Sequence, residues 1–412
     1  MLARLGAMTI PLTERHDLRT GSPVWGGHAQ PPPSDPLPDD IVDIAIVGAG
    51  VMGAMLAERL SERGRSVALV DRRPPAAGST AASTALILWA MDVPLTHLAA
   101  EIGEREAARR WRRVFAAVER LREKLAALPI GDTGERPAVY LAGSLLDADQ
   151  LRGEAELRQK HGLPSAWLAA EAVGERFGIA PRAALVSRGC CRVDPVRLTL
   201  ALLDRARRSG ATVTWPCEAT AIDQRDDHLA LSCAGGSLRA RQVILASGYE
   251  RATWFLPPAF SLLSSYAVAT APGTAPLWRE DAMLWEAADP YLYARTDDEG
   301  RVIAGGCDED FAAEGPRDAA IGAKGGQLSE MLGAVLGRDP VPVEHRWAAM
   351  FGSSPDGLPA IGRARNHDRL WLASGFGGNG VSFAALAAEL IAAEMDGTPD
   401  PDAACFDPYR FE

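Results

Sequence analysis

The chain has no run of about 18 apolar residues, so no segment has the length and polarity of a helix that crosses a bilayer. Cysteine is scarce. The six present, Cys190, Cys191, Cys217, Cys233, Cys307 and Cys405, make no C-x-x-C pair and no zinc-ligand spacing. A structural zinc site and a disulfide framework are therefore excluded, and no metal is expected. Adjacent thiols such as Cys190 and Cys191 suit neither a metal nor an ordinary disulfide, so free, mostly buried thiols in a reducing compartment are expected, and with them a cytoplasmic location. Positive charge is in deficit, with 43 Lys and Arg against 54 Asp and Glu and a net charge of -11. A surface that tracks phosphates needs the opposite balance, so nucleic acid is not an expected partner. The cluster Arg109, Arg110, Arg112 and Arg113 lies in an Ala- and Glu-rich helical stretch and reads as a solvated face. The N-terminal MLARLGAMTIPLTERHDLRT lacks the apolar core and cleavage site of a secretory signal, and Met8 is an alternative start.

What remains is ordinary globular composition, 47% hydrophobic and 24% charged, in 412 residues. That length suits two domains better than one core. Residues 1–40, with PPPSDPLPDD, read as an extended lead-in. Ile41 to Val47 is then an apolar run with one acid, as expected of a strand buried on both faces. A helix over Ala54 to Arg63, closed by Gly64, and a second apolar run from Ser66 to Val70 complete a β-α-β unit. Periodicity predicts a long helix over Leu95 to Leu128 and another over Pro195 to Ser209. Strand-like runs follow at Thr212 to Pro216, His228 to Ser232 and Gln242 to Ala246. Alternating stretches at Ser264 to Thr270, Tyr291 to Arg295 and Arg301 to Ala304 suggest a separate antiparallel sheet. The end returns to strand, glycine loop and helix over Leu370 to Met395.

The segment Gly48-Ala49-Gly50-Val51-Met52-Gly53 is G-x-G-x-x-G between a strand and a helix. The first glycine makes the tight turn, the second admits a pyrophosphate to the backbone, and the third lets the helix pack on the strand. The helix start, including Val51 and Met52, offers free N–H groups to phosphate. Asp71, ending the next strand and followed by Arg72, stands where an acid hydrogen-bonds a ribose hydroxyl. The pattern identifies a dinucleotide site without separating NAD from FAD.

Four further segments carry a specific resemblance. Gly189-Cys190-Cys191-Arg192-Val193-Asp194-Pro195, Val243-Ile244-Leu245-Ala246-Ser247-Gly248, Asp356-Gly357-Leu358-Pro359-Ala360-Ile361-Gly362 and Gly375-Phe376-Gly377-Gly378-Asn379-Gly380 occur in this order after the first fingerprint. The chain resembles, from residue 41 onward, the superfamily of D-amino-acid oxidase, glycine oxidase and sarcosine oxidase. That resemblance implies an α/β architecture: a Rossmann-like, glutathione-reductase-type FAD-binding domain from residues 41–88, 186–252 and 355–412, interleaved with a mainly antiparallel α+β substrate domain from 89–185 and 253–354. It implies noncovalent FAD as cofactor. It also assigns cofactor contacts to Ser79, Ser83, Thr84, Ala219, Ala246, Ser247 and Gly248, and to Gly375, Gly377, Gly378, Asn379, Gly380 and Val381. The last group opens a helix whose N-terminus would stabilise negative charge at the flavin's pyrimidine edge. The implied reaction is hydride transfer from a C–H beside nitrogen to flavin N5, on a small-molecule amine or amino-acid-like substrate, with oxygen, quinone or a protein as electron acceptor.

The chain departs from the family at three carboxylate anchors. Phe351 stands where those oxidases place a substrate-clamping arginine. Ser382 replaces a lysine after the glycine loop, and Ala85 to Leu88 replaces arginines. Ala349 falls near the cysteine through which sarcosine oxidases attach FAD. An amine without a carboxylate, or a carboxylate held elsewhere, is thus favoured. Candidate substrate-contacting residues are Tyr291, Tyr293, Arg295, His345, Arg346 and Phe351, and Trp89, Trp347 and Phe351 are candidates for an aromatic wall. Arg295 has an alternative reading as a partner of Asp297 or Asp298. A flavoprotein that binds a partner without catalysis, or a flavin enzyme for a non-amine, is the alternative function.

Overall fold

A computed structural model describes residues 12–25, 29–233, 235–250, 252 and 255–412. Met8 and the rest of 1–11, and 26–28 of the lead-in, lie outside the described residues.

Two sheets organise the chain. The first has eight strands. Its parallel heart sets Val42–Val47 between Val67–Val70 and the end of Gly236–Leu245, with Thr212–Thr214 and Leu370–Ser374 outside these. Ala360–Arg363 closes one edge antiparallel, and Ala219–Gln224 and Leu229–Cys233 extend the sheet as an antiparallel meander. The unbroken apolar run of Val42–Val47 follows from burial on both faces. Helices Val51–Ser61, Pro195–Arg208 and Gly380–Met395 pack together on one face, and Leu229, Leu231 and Leu238 join the core on the other. The one acid in the run, Asp43, accepts hydrogen bonds from Ser66 N and Oγ, both at 2.9 Å, and so pins the parallel pairing at its start.

The second sheet has ten strands and is antiparallel except where Met283–Glu286 runs parallel to Glu135–Leu141. The expected strands are present, some longer than expected: Val302–Glu309 continues well past Ala304, and Gly236–Leu245 begins well before Gln242. The strand Ala184–Arg192 crosses the boundary expected at residue 186, and all its pairing is in this larger sheet; Leu86–Ile87 pairs with it. The helix expected over Leu95 to Leu128 is two helices, Leu95–Ile102 and Glu104–Ala126. Gly103, at φ 87°, breaks it in a conformation that periodicity does not register.

A long helix, Glu314–Leu336, packs on this sheet although it holds Gly315, Gly322, Gly325, Gly326 and Gly333. Each glycine costs about 1 kcal/mol of helix propensity, which hides the helix from periodicity. Packing explains two of them. A Cβ at Gly325 would press into the Arg346 side chain, and one at Gly333 into the Asp339 carbonyl.

The lead-in is tied down at both ends of its described part. Arg19–Gly21 adds a strand to the sheet edge beside Trp347, Ala348 and Ala349. Farther on, Asp35 accepts from Val213 N at 2.9 Å and from Arg207, and Trp215 Nε1 donates to Pro32 O at 3.0 Å. The Pro-rich stretch thereby covers the edge strand Thr212–Thr214.

Candidate active site

One cavity runs between the two sheets. Its first end is built by the glycine fingerprint. Gly48 has φ 118°, and a Cβ there would overlap the Ala246 carbonyl. A Cβ at Gly53 would overlap the Gly48 carbonyl, so this glycine serves the helix–strand contact and does not line the cavity. Gly50, Val51 and Met52 do line it. Gly50 is the N-cap of Val51–Ser61 and makes no side-chain cap, while Thr80 Oγ1 accepts from Val51 N at 3.0 Å. Asp71 also lines the cavity. Its two oxygens accept from Ala49 N at 2.7 Å and Arg73 N at 2.8 Å, which ties the glycine loop to the end of the second strand. Burial raises its carboxyl and those two N–H donors pull it back. Each oxygen keeps a lone pair for a further donor. Arg72 and Arg73 both donate to Glu250 and to the His16 carbonyl.

Ser79, Ser83 and Thr84 line the middle of the cavity. Three side chains bolt this segment in place. Trp347 Nε1 donates to Ala82 O at 2.9 Å, Trp25 Nε1 to Ser83 O at 2.7 Å, and Arg295 Nε to Thr84 O at 2.6 Å. Ala219, Ala246, Ser247 and Gly248 lie along the wall nearby.

The C-terminal loop forms the third wall, through Gly375, Gly378, Asn379, Gly380 and Val381. Gly377 is not on it. It sits at φ 93° with its N–H on Gly352 O at 2.8 Å, and a Cβ would overlap Gly357. The loop is stitched to residues 88–92. Gly378 N donates to Asp92 Oδ2, Asn379 Nδ2 to Ala90 O and Ser382 Oγ to Leu88 O, each at 2.7 Å. Asn379 therefore does not cap the helix Gly380–Met395 with its side chain.

At the far end stand Tyr249, Trp285, Tyr291, Tyr293, Phe351 and Asp92. Tyr291 donates its hydroxyl to Asp308 Oδ2 at 2.7 Å. Burial, with Asp308 next, pushes the Tyr293 phenol up to about 12. Asp92 is open to the cavity, and desolvation by the surrounding wall pushes it up to about 6, against the Gly378 hydrogen bond.

Three candidates fall elsewhere. Arg295 is fully buried and spends its guanidinium on the carbonyls of Thr84, Thr296 and Val193; Asp297 and Asp298 favour its charge through space without a hydrogen bond among the described residues. His345 meets Ser22 O at 3.2 Å beside the edge strand, and the exposed Arg346 lies against Gly325. Of the aromatic-wall candidates, Trp347 and Phe351 line the cavity. Trp89 is core, edge-on to Trp111 and Phe115, with Nε1 on Arg188 O at 2.7 Å. The Asp-Pro motif has a local reason: Asp194 caps Pro195–Arg208 by accepting from Val196 N and Arg197 N. Asp92, Tyr249, Trp285, Thr80 and Asp308 were not legible in the sequence. Each is a single polar or aromatic residue in an unremarkable stretch, and only chain folding brings the first four to the cavity and Asp308 behind Tyr291.

The cavity suits a dinucleotide that carries a ring able to take up negative charge. Ser79 Oγ is buried in its wall without a partner, and two helix starts, at Gly50 and Asn379, lack side-chain caps. Both favour anionic groups. Among the described residues no cluster of potential metal ligands occurs, and no helix is long and apolar enough to cross a membrane. Among the described residues no cysteine is in a disulfide, and five of the six are buried. Ala349 lines the cavity with no sulfur, while Cys307 lies off it with Sγ 3.5 Å from Met331 Sδ. Acid or heat should therefore release the cofactor whole, leaving a colourless polypeptide. Yellow colour that stays with the denatured chain would contradict noncovalent binding.

A family model described as FAD dependent oxidoreductase matches residues 43–394. The tRNA 5-methylaminomethyl-2-thiouridine biosynthesis bifunctional protein of Cupriavidus necator is 26% identical over 92% of the chain, but the chain spans only 61% of that protein. It spans 46% of rat mitochondrial dimethylglycine dehydrogenase, to which it is 24% identical. Glycine oxidase of Pseudomonas aeruginosa is 26% identical, with 86% of this chain and 94% of that one covered. The crystal structure of L-proline dehydrogenase from P. horikoshii shares the fold, at TM-score 0.72 and 18% identity over 90% of this chain and 98% of that one.

Proposed function

This chain belongs to the FAD-dependent oxidoreductase family, whose cofactor is FAD, and from that premise we propose that it oxidises a C–N bond of a small amine or amino-acid-like molecule. The observation that carries this reading is the single cavity that joins the uncapped start of Val51–Ser61 to a chamber of Tyr249, Tyr291, Tyr293 and Trp285. Gly50, Asp71, Ser79 and the loop Gly375–Gly380 would hold FAD. When bound, FAD supplies a two-electron acceptor for hydride from a C–H next to nitrogen, and the resulting imine is open to hydrolysis. The chain's own contribution is position and exclusion of water. The segment Ser79–Thr84, fixed by Trp25, Arg295 and Trp347, and the loop fixed to residues 88–92 are rigid walls whose donors need no reorganisation. No dedicated base is required for an amine that binds neutral.

The similar proteins support an amine or amino acid by their names, and the net charge of -11 supports a small molecule over nucleic acid even though one of them is named for tRNA biosynthesis. Free thiols fit a reducing compartment such as the cytoplasm. The test is anaerobic mixing with a panel of primary, secondary and tertiary amines and amino acids. At least one amine should bleach the flavin within seconds to minutes. A flavin that stays oxidised with every C–N compound, but is reduced by an alcohol or hydroxy acid, would replace this reading.

A further inference from the structure

The charge inventory of the cavity is lopsided. Among its described lining residues the only cations are Arg72 and Arg73, and both are engaged by Glu250 and the His16 carbonyl, beside Asp71 at the dinucleotide end. The far chamber has no cation in its described lining, but it has a carboxylate. Asp92 Oδ2 accepts from Gly378 N, and Oδ1 accepts from none of the described residues. One of the phenols around it is turned as an acceptor. Tyr291 has committed its proton to Asp308, so its oxygen meets the cavity with lone pairs only. Tyr291 and Tyr293 tilt together at 6.0 Å, and Trp285 is held in place by stacking on Tyr140 at 3.7 Å.

Resting on the function proposed above, we propose that the substrate is a cationic amine with no carboxylate near the reacting carbon, and that Asp92 is the residue that selects it. The free oxygen of Asp92 pairs with the substrate's ammonium and takes one of its protons, so that the reacting nitrogen is neutral when hydride leaves, and Tyr291 accepts a second N–H. The faces of Tyr293 and Trp285 add attraction for the cation. An amino-acid carboxylate entering this chamber meets Asp92 and finds no cation among the described lining residues. Phe351 brings no charge to offset Asp92. Asp308 is a positioning residue: it acts by fixing the direction of the Tyr291 hydroxyl.

Three compounds that share one reacting N-methylamine test the proposal: N-methylpropylamine, N-methyl-1,3-diaminopropane and 3-(methylamino)propanoate, which end in a methyl, an ammonium and a carboxylate. Anaerobic flavin reduction by the holoenzyme should favour the first two over the third by roughly tenfold to a hundredfold in apparent affinity, the range of one charge-assisted hydrogen bond. A second readout needs no turnover. Tetramethylammonium should perturb the flavin spectrum at a lower concentration than acetate. Asp92→Asn retains an acceptor for Gly378 N and should keep FAD while losing most of both preferences. Tyr291→Phe keeps the ring and should weaken cation binding a few-fold, which covers the case of an unstable Asp92 variant. Equal or better reduction by the carboxylate compound overturns the proposal and leaves C–N oxidation standing. Failure of all three compounds, with tetramethylammonium still bound through Asp92, would instead count against C–N oxidation and keep the cation site. An Asp92→Asn protein with full FAD and unchanged selectivity removes Asp92 from the role.

Discussion

Gly50→Val should lower FAD affinity by at least ~100-fold and leave a folded apoprotein, because the added branched side chain stands where backbone must approach a pyrophosphate. The local geometry makes this a clean experiment. Gly50 has φ -78° and ψ -175°, extended backbone open to any residue. The nearest atom to an added Cβ is Thr80 Oγ1 at 3.0 Å, the end of a small side chain. Nothing in the fold itself therefore demands glycine here. Gly53→Val is the contrast: its Cβ would overlap the Gly48 carbonyl and push the helix Val51–Ser61 off its strand, so that variant should lose structure as well as cofactor. Asp71→Ala should weaken FAD binding less than either, by about 1–3 kcal/mol. Flavin content per chain and far-ultraviolet circular dichroism separate the three. Full flavin occupancy in Gly50→Val would mean that the fingerprint does not hold the pyrophosphate.

Arg295→Leu should cost about 3–5 kcal/mol of stability, because three buried carbonyls lose their donor at roughly 1–3 kcal/mol each, partly offset by no longer burying a charge. Three carbonyls, those of Thr84, Val193 and Thr296, would lose their donor in a site that water does not reach. Thr84 belongs to the cavity wall, so FAD retention should fall along with the unfolding midpoint. Arg346→Ala, on an exposed residue, should stay within about 0.5 kcal/mol. Denaturant unfolding of the two variants side by side decides it. An Arg295→Leu protein of wild-type stability that no longer binds substrate would restore Arg295 as a substrate clamp.

The features legible in the sequence are those whose physical demand is local. A strand that must turn within one residue into a helix needs Gly48, and a helix pressed against its own strand needs Gly53. A parallel strand buried on both faces must be apolar throughout, as Val42–Val47 is apart from Asp43. Asp194 and Pro195 announce a helix start by side-chain chemistry two and three residues away. For the same reason the order β-α-β, then an antiparallel sheet, then strand, glycine loop and helix was readable, since each element carries its own period.

What only the tertiary structure decided involves groups far apart in the chain. Arg295 looked like a substrate ligand because a strand-ending arginine carries no sign of where its charge goes; three backbone carbonyls from separate segments consume it. The helix Glu314–Leu336 contradicts its own propensity, and is held by burial against the second sheet. The lead-in became an edge strand only because Ala349, Ala348 and Trp347 present an open edge to Arg19–Gly21. Asp92, Tyr291 and Asp308 lie on three different segments, and no periodicity links them. The sequence by itself determined the family's cofactor fingerprint, a glycine turn between a strand and a helix. The character of the chamber at the other end, an acid and lone pairs with no described cation, was decided by folding, because a charge is a binding feature only once its neighbours are known.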